Sequence, residues 1–480
     1  MKISLLYPSW TEEYGNISYF AKRAGRFPPL NLAYLGAIAE KEGHEVKIID
    51  GEAEEMSLEN IIKETEDFKS DIVGITATTP FYHLAVNLAT ELKKRRKVPI
   101  AIGGPHITVL KEQVFDECFD YGFIREAETS WKEFLERRVN GRDLEGIKGI
   151  LYRKDDKVEY NGDVDPVKSL DAIPIPARHL LRNDKYRLGT MEGTKQFTSI
   201  MTVRGCPYKC TFCSTEVFGN NTYRRNPNKV IEEIKQVVDK YGTKHFLFLD
   251  DTLTLNKSHI ESVCDKIINS GLNITFEGGT RANLIDEELI RKMRRAGLIR
   301  LGFGLETVDE EMRERINKNI PLESYGVANR LANKYGIEAT NSCIIGLPGE
   351  TEETVKKTLK FLRQSRDIKQ SNISIAVPYP GTELYKMALQ GKDGLRLVDK
   401  DFSHFRRYNA AVMQVGDLSP EDLVNIQNEA FASIYLAPWR WVPMIRKSGL
   451  KGAWLTGKRL YKCLKEGNTR FITNKQLGIK

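Results

Sequence analysis

Short apolar runs alternate with amphipathic helical stretches twice over along this chain, and that alternation constrains the fold more than any other feature. The first series opens with Lys2–Tyr7 (KISLLY), a run suited to a buried strand, followed by the helical period of Asn31–Glu42, which stops at Gly43. Glu45–Ile49 and Asp71–Thr76 read as the second and third strands, Leu58–Phe68 and His83–Arg95 as helices, and Pro99–Ile102 as a fourth strand. Strands separated by helices imply a parallel, doubly wound sheet, whose ligands sit outside the carboxyl ends of the strands. Those ends carry Tyr7-Pro8, Asp50-Gly51, Thr76–Thr79 and Gly103–His106.

A different texture follows. Residues 146–194 hold two short strand-like runs, Ile150–Tyr152 and Val158–Tyr160, and the proline cluster Asp171–Pro176, and read as a linker. From Phe197 a second series begins, with strands expected at Thr198–Val203, His245–Leu249, Asn273–Glu277, Arg300–Gly304, Ala339–Ile345 and Asn372–Ala376. Six strand–helix units in a row imply a partial (β/α)6 barrel. The expected organisation is an α/β chain with a Rossmann-like domain over 1–145, a linker over 146–194, a partial TIM barrel over 195–400 and a helical, basic region over 401–480. No internal repeat or low-complexity tract interrupts it.

The composition, 41% hydrophobic and 29% charged over 480 residues, is that of an ordinary globular chain and excludes wholesale disorder. No apolar run approaches the ~18 residues of a membrane span. The first apolar run is too short for a signal peptide, and Glu12 and Glu13 follow it, so the cytoplasm is the expected compartment. The net charge of +8 is unevenly spread. Residues 438–480 carry eleven basic side chains and one acidic, Glu466, so this tail is +10 and the rest of the chain −2.

Cysteines stand at 118, 206, 210, 213, 264, 343 and 463, an odd number that argues against a disulfide framework. Three of them lie in Arg204-Gly205-Cys206-Pro207-Tyr208-Lys209-Cys210-Thr211-Phe212-Cys213. Three thiolates on one loop can hold three corners of a cubane and leave the fourth iron open. A structural cluster or a structural zinc site takes four protein ligands, and no fourth His or Cys follows at ligand spacing. The loop comes directly after the first strand of the barrel series, at the end where barrel active sites lie. A zinc knuckle completed by a distant His, or three unligated cysteines, are the alternatives. Tyr208 and Phe212 suit shielding of a cluster, and equally ordinary packing.

At these residues the chain resembles the radical S-adenosylmethionine (SAM) superfamily. The resemblance continues through Phe248-Leu249-Asp250-Asp251, Gly279–Asn283 with Arg281, Gly304-Leu305-Glu306 and Ile344–Thr351. It implies that Cys206, Cys210 and Cys213 hold a [4Fe-4S] cluster, and that Phe212 lies beside the cofactor. Asp250 and Asp251 would meet the SAM amino group, Arg281 its carboxylate and Glu306 the ribose, with Gly346 and Pro348 lining the adenine. Taken singly, the two aspartates also suit helix caps, and Gly346 and Gly349 plain turns. The family's chemistry is reductive cleavage of SAM to a 5′-deoxyadenosyl radical that removes a substrate hydrogen, fed by an electron donor of flavodoxin or ferredoxin type.

The order of the two α/β series is similar to that of the cobalamin-binding radical SAM subfamily. Pro28-Pro29-Leu30, Val73–Thr76 and Gly103-Gly104-Pro105-His106 carry this likeness, which implies cobalamin contacts from Pro29, Thr76, Gly103, Gly104 and His106. Phe123–Glu128 falls where that family has a Gly-Glu-x-Glu turn, with Arg125 in place of the first glycine. The cobalt-binding histidine of a D-x-H-x-x-G loop is absent: the matching place reads Asp50-Gly51-Glu52-Ala53-Glu54-Glu55. No G-x-G-x-x-G opens the first helix, which argues against a dinucleotide site.

The implied activity is methyl transfer to an unactivated carbon of a small-molecule or lipid-type substrate. Cobalamin-assisted cyclisation, rearrangement or oxidation and a non-catalytic cobalamin sensor are the alternatives. A methylthiotransferase needs a second cysteine cluster, and only Cys118 precedes Cys206. In the basic tail Trp439, Trp441 and Trp454 are interleaved with Arg440, Arg446, Lys447, Lys451, Lys458, Arg459 and Lys462. That mixture suits peripheral contact with an anionic membrane face, or a helix pair packed by its tryptophans, more than nucleic acid.

Overall fold

The computed structural model describes residues 1–480 other than 14–24, 156, 168, 191–192, 436, 441–453, 455–456, 458–469, 472, 474 and 480. The chain divides into two compact units. One is Met1–Gly189 with Thr194–Pro207 and Ser214–His245; the other is Phe246–Lys480 with Thr190–Gly193 and Tyr208–Cys213.

The first unit is built on a seven-stranded sheet in the order Glu45–Asp50, Lys2–Tyr7, Ile72–Thr76, Ile100–Gly103, Tyr121–Phe123, Ile150–Lys154, Lys157–Tyr160. The first five strands are parallel and the last two antiparallel. The parallel strands read as almost unbroken apolar runs because helices cover both faces. Leu5, Leu6, Ile49, Val73, Ile75, Ile100 and Ile102 are all buried. Helices Leu30–Lys41, Leu58–Phe68 and Tyr82–Arg95 alternate with the strands, and Ser57 caps the second by accepting from the Asn60 amide. The doubly wound reading therefore holds. Chain direction across the sheet reverses between Lys2–Tyr7 and Ile72–Thr76, the switch point where such sheets open a ligand crevice. The sequence reading placed Ile150–Lys154 and Lys157–Tyr160 in a linker. Here they extend the sheet, because the antiparallel pairing of Tyr121–Phe123 with Ile150–Lys154 offers a buried place for Ile150 and Leu151.

The second series has strands at Thr198–Ile200, His245–Phe248, Thr275–Thr280, Leu298–Glu306, Glu338–Ile345 and Gln370–Ile375, matching the six expected positions. From Thr275 onward each strand pairs in parallel with the next, in chain order. Helices Lys257–Asn269, Glu287–Arg295, Leu322–Lys334 and Glu352–Gln364 intervene. Beyond them a short antiparallel pair, Leu395–Leu397 with Met413–Val415, spans the expected boundary at 400 and precedes the helix Pro420–Tyr435. Among the described residues no helix is long and apolar enough to cross a membrane.

Candidate functional site

The segment that leads into the cysteine loop is pinned by buried charge. Arg178 donates to Ser199 O at 2.7 Å and Arg225 to Met201 O at 3.1 Å, and both guanidinium groups lie 2.6 Å from the fully buried Glu233 carboxylate. Burial opposes the Glu233 anion, but the two arginines outweigh it and hold its pKa below the usual carboxylate range. Arg204, at the end of Val203–Arg204, donates to Glu126 at 2.8 Å and Glu128 at 2.7 Å. These are the two glutamates of the Phe123–Glu128 turn. Gly205 follows with φ of +86°, and a Cβ there would overlap the carbonyl oxygen of Asn221. Only glycine can begin the loop in this place.

Cys206 and Cys210 are half-buried and Cys213 is exposed. The Cys213 amide donates to Cys210 O at 3.0 Å, and Thr211 O accepts from the Leu384 amide. Among the described residues no three Cys, His, Asp or Glu side chains form a group suited to a single metal ion. A cubane asks for something else, one thiolate on each of three irons. The donor set of three half-buried or exposed thiols on one loop fits that demand. Arg281, expected beside the SAM carboxylate, donates to Cys210 Sγ at 3.7 Å and lies 3.6 Å from the centre of the Tyr208 ring. A fixed cation therefore stands beside one of the thiols.

Asp250 and Asp251 follow the strand His245–Phe248, the first buried and the second exposed. Glu306 ends the strand Leu298–Glu306 in a left-handed conformation, φ +60°, and is buried. Its carboxylate is paired with Lys318 at 2.5 Å. Opposite it in register is Cys343, fully buried, whose thiol is pushed well above its usual range by burial and by Glu306. Gly346 has φ of +82°, and Pro348 is buried. The loop they share is folded around Glu350, which accepts from the Gly346 amide at 3.2 Å and from the Thr354 hydroxyl. Burial pushes the Glu350 carboxyl up to about 8 against the pull of these donors. Cys210, Phe212, Arg281, Glu306, Gly346 and Pro348 thus belong to one unit, while Cys206 falls in the other; Arg281, Gly346 and Pro348 follow strands of their unit and Glu306 ends one. Lys318 and Glu350 were not singled out from sequence. Lys318 sits after a charged stretch, Glu310–Arg315, that reads as a solvated helix face.

In the first unit, Pro29 is buried and begins the helix Leu30–Lys41. Asn31 Nδ2 donates to Thr76 Oγ1 at 2.9 Å, and Thr76 lies opposite Gly103 in register. A Cβ on Gly103 would meet nothing nearer than Phe123 at 4.0 Å, whereas one on Gly104 (φ +108°) would overlap the backbone of Ala77. Together they form a bare backbone edge next to the switch point, open at Gly103 and close-packed at Gly104. His106 departs from expectation. It is turned inward, 1% exposed, with Nδ1 3.3 Å from Thr79 Oγ1 and its ring 4.4 Å from that of Tyr82. Burial pushes its pKa down to about 4, so the imidazole is neutral.

The loop Asp50–Glu55 was expected to bring no histidine to a cobalt. Its Glu52, which stands in that histidine's place, turns toward residues 9–11: it accepts from the Trp10 amide at 2.9 Å, the Thr11 amide at 3.0 Å and the Thr11 hydroxyl. Asp50 accepts from the Ala53 amide and from Tyr186 at 2.8 Å, and burial raises it to about 6.

The basic tail is only partly described; Trp441, Arg446, Lys447, Lys451, Lys458, Arg459 and Lys462 lie outside the described residues. Arg440 does not face outward as a membrane contact would. It is buried, donates to Lys369 O and Leu362 O, and stacks 4.4 Å from Trp439, and burial lowers its pKa to about 10. Trp454 is 63% exposed.

Residues 200–362 match the family model of the Radical SAM superfamily, and residues 18–135 that of the B12 binding domain. The chain is 36% identical over 417 residues, 86% of its own length and 88% of the relative's, to an uncharacterized methyltransferase of Pyrococcus horikoshii. It is 27% identical over 448 residues, 86% and 79% of the two lengths, to the anaerobic magnesium-protoporphyrin IX monomethyl ester cyclase of Rubrivivax gelatinosus. Among solved structures, the radical SAM methyltransferase TsrM of Kitasatospora setae, with cobalamin and [4Fe-4S] cluster bound, superposes with a TM-score of 0.71 at 16% identity, covering 97% of this chain and 99% of that one. The cobalamin-dependent radical SAM enzyme OxsB gives 0.73 at 17% identity, covering 97% and 70%.

Proposed function

The chain belongs to the cobalamin-binding radical SAM family, and from that premise we propose that it methylates an unactivated carbon of a small-molecule or lipid-type substrate. When bound, the cluster supplies the electron that cleaves SAM, and cobalamin carries the methyl group. The chain's own residues bind, orient and shield. In this reading Cys206, Cys210 and Cys213 each ligate one iron, and the missing fourth ligand leaves an iron for SAM. Arg281, already beside Cys210, neutralises the SAM carboxylate there. Glu306 accepts from the ribose hydroxyls, Asp250 and Asp251 meet the amino group, and the Gly346–Pro348 loop packs on the adenine. Pro29, Thr76, Gly103 and Gly104 seat the corrin and its tail. His106 supports that edge from within through Thr79.

The observation that carries the reading is the loop of three thiols with no fourth, in a chain 36% identical over most of its length to an uncharacterized methyltransferase. The electron comes from a small donor of flavodoxin or ferredoxin type. Trp454 and the basic residues around it make a peripheral contact with the inner membrane face, a placement that suits a lipid-linked substrate.

The test is anaerobic reconstitution with iron, sulfide and hydroxocobalamin, then SAM and a low-potential reductant. Bound cobalamin, cluster-dependent 5′-deoxyadenosine and S-adenosylhomocysteine are expected. 5′-Deoxyadenosine without S-adenosylhomocysteine, once substrate is supplied, would replace methyl transfer by cyclisation or oxidation. Neither product from a loaded cluster, with no cobalamin retained, would overturn the reading. Liposome pelleting across a salt series tests the membrane contact; no pelleting with anionic vesicles removes it.

A further inference from the structure

The turn Ile316–Lys318 touches the cysteine loop with three successive residues. Ile316 O accepts from the Thr211 amide at 3.1 Å, and Asn317 Nδ2 donates to Lys209 O at 2.9 Å. Lys318 Nζ lies 5.8 Å from the centre of the Phe212 ring and pairs with Glu306 Oε1 at 2.5 Å. Lys318 is 8% exposed, so this cation is taken out of water to reach a carboxylate.

Three features of the backbone serve this one contact. The strand pairing shifts between Gly304 and Glu306, a bulge that leaves Leu305 without an opposite residue and re-aims the glutamate. Glu306 and Asn317 both take positive φ, +60° and +53°, and a glutamate does not adopt that conformation without being held. A Cβ on Gly304 would overlap Glu306 Oε1 and Lys318 Nζ and push the pair apart, so the absence of a side chain there lets the pair close. A bulge, a strained residue and a glycine that leaves room for one buried ion pair exceed what anchoring a surface turn needs.

We propose that Asn317 and Lys318 are positioning residues that tie the cluster-bearing loop to Glu306, so that the end of SAM held at the cluster and the end held at the ribose are set in one register. The proposal rests on the SAM-binding reading given above. Lys318 acts through Glu306 and Phe212, and its removal alters the geometry of bound SAM rather than loading of the cluster.

The test uses the full chain with its cluster reconstituted, comparing wild type with Lys318→Met, Lys318→Arg and Asn317→Ala. Iron and sulfide per chain, SAM affinity by equilibrium dialysis, and the change SAM induces in the EPR spectrum of the reduced cluster are measured. Lys318→Met is expected to keep wild-type iron content, bind SAM roughly tenfold or more weaker, and show an altered SAM-induced EPR change. Lys318→Arg restores most of the affinity. Wild-type affinity and an unchanged EPR response in Lys318→Met overturn the proposal. If Lys318→Met does not fold, Asn317→Ala decides: it loses the bond to Lys209 O and puts alanine at a φ of +53°, both of which loosen the same turn, and several-fold weaker SAM binding at full iron content is expected. Unchanged binding overturns the proposal. A wild-type protein that loads its cluster yet binds no SAM overturns the underlying reading instead, and the proposal with it.

Discussion

The two units present their strand ends in opposite ways. In the first, the stretch Thr76, Gly103 and Gly104 offers a hydroxyl and bare backbone with no charge, and the nearby His106 is buried and neutral. The second holds the Cys210 and Cys213 thiols, the Arg281 cation and the buried Glu306–Lys318 pair. A large ligand with many weak contacts is held by shape, and shape is made by leaving side chains out. A small charged ligand is held by a few directed groups, and each must be kept in place by partners of its own.

The comparison breaks most sharply at the thiols. Alanine at Cys210 or Cys213, in the second unit, is expected to abolish cluster loading and 5′-deoxyadenosine formation, while cobalamin retention by the first unit persists; iron and cobalamin per chain are measured together. Next comes Gly104→Ala. The new Cβ meets the Ala77 backbone at a φ closed to side chains, so a loss of about 3 kcal/mol in urea unfolding and poor cobalamin retention are expected. Normal retention would show that the edge is not built by exclusion.

Arg281→Ala should weaken SAM binding about tenfold and leave cobalamin untouched. A fourth prediction concerns pH. Glu350 titrates near 8 in the folded chain, far above its ordinary range, so between those values the folded state binds the extra proton and stability falls as pH rises. Glu350→Gln is expected to flatten that slope in chemical unfolding from pH 5 to 8 without changing its value at the acid end. An identical slope in the variant removes Glu350 as its source. The smallest effect belongs to Thr76→Val. It removes one hydroxyl and should cost about 1 kcal/mol or less of stability and little cobalamin affinity. A large loss of affinity there would mean that the first unit also works through directed groups.

The same contrast explains what was legible in the sequence. The strands were readable because buried parallel strands are continuous apolar runs. The cysteine loop was readable because its ligands are close in sequence and chemically unmistakable. Arg281 and Glu306 could be named only through resemblance, yet the structure brings Arg281 to Cys210, 71 residues away. Lys318 was invisible: its partners on the cysteine loop lie more than a hundred residues earlier, and a lysine after a run of charges looks solvated. Glu52 was read only as a missing histidine, because the amides it satisfies lie 41 and 42 residues before it. Arg440 was counted with the surface charge because nothing in a basic tail announces that one guanidinium will fold back onto the carbonyls of Leu362 and Lys369. Local pattern reports periodicity and short-range ligand sets; it carries no record of pairings between distant turns.

The unpaired Leu305 makes the direction of Glu306 a matter of parity. Neighbouring residues of a regular strand point to opposite faces, and the one extra residue is what brings the glutamate back to the side of Gly304. A chain shortened by Leu305 alone would keep every residue named here as a contact, fold the same strands, and aim its carboxylate at the wrong side of the sheet. At this point function depends on how many residues there are, as strictly as on which ones.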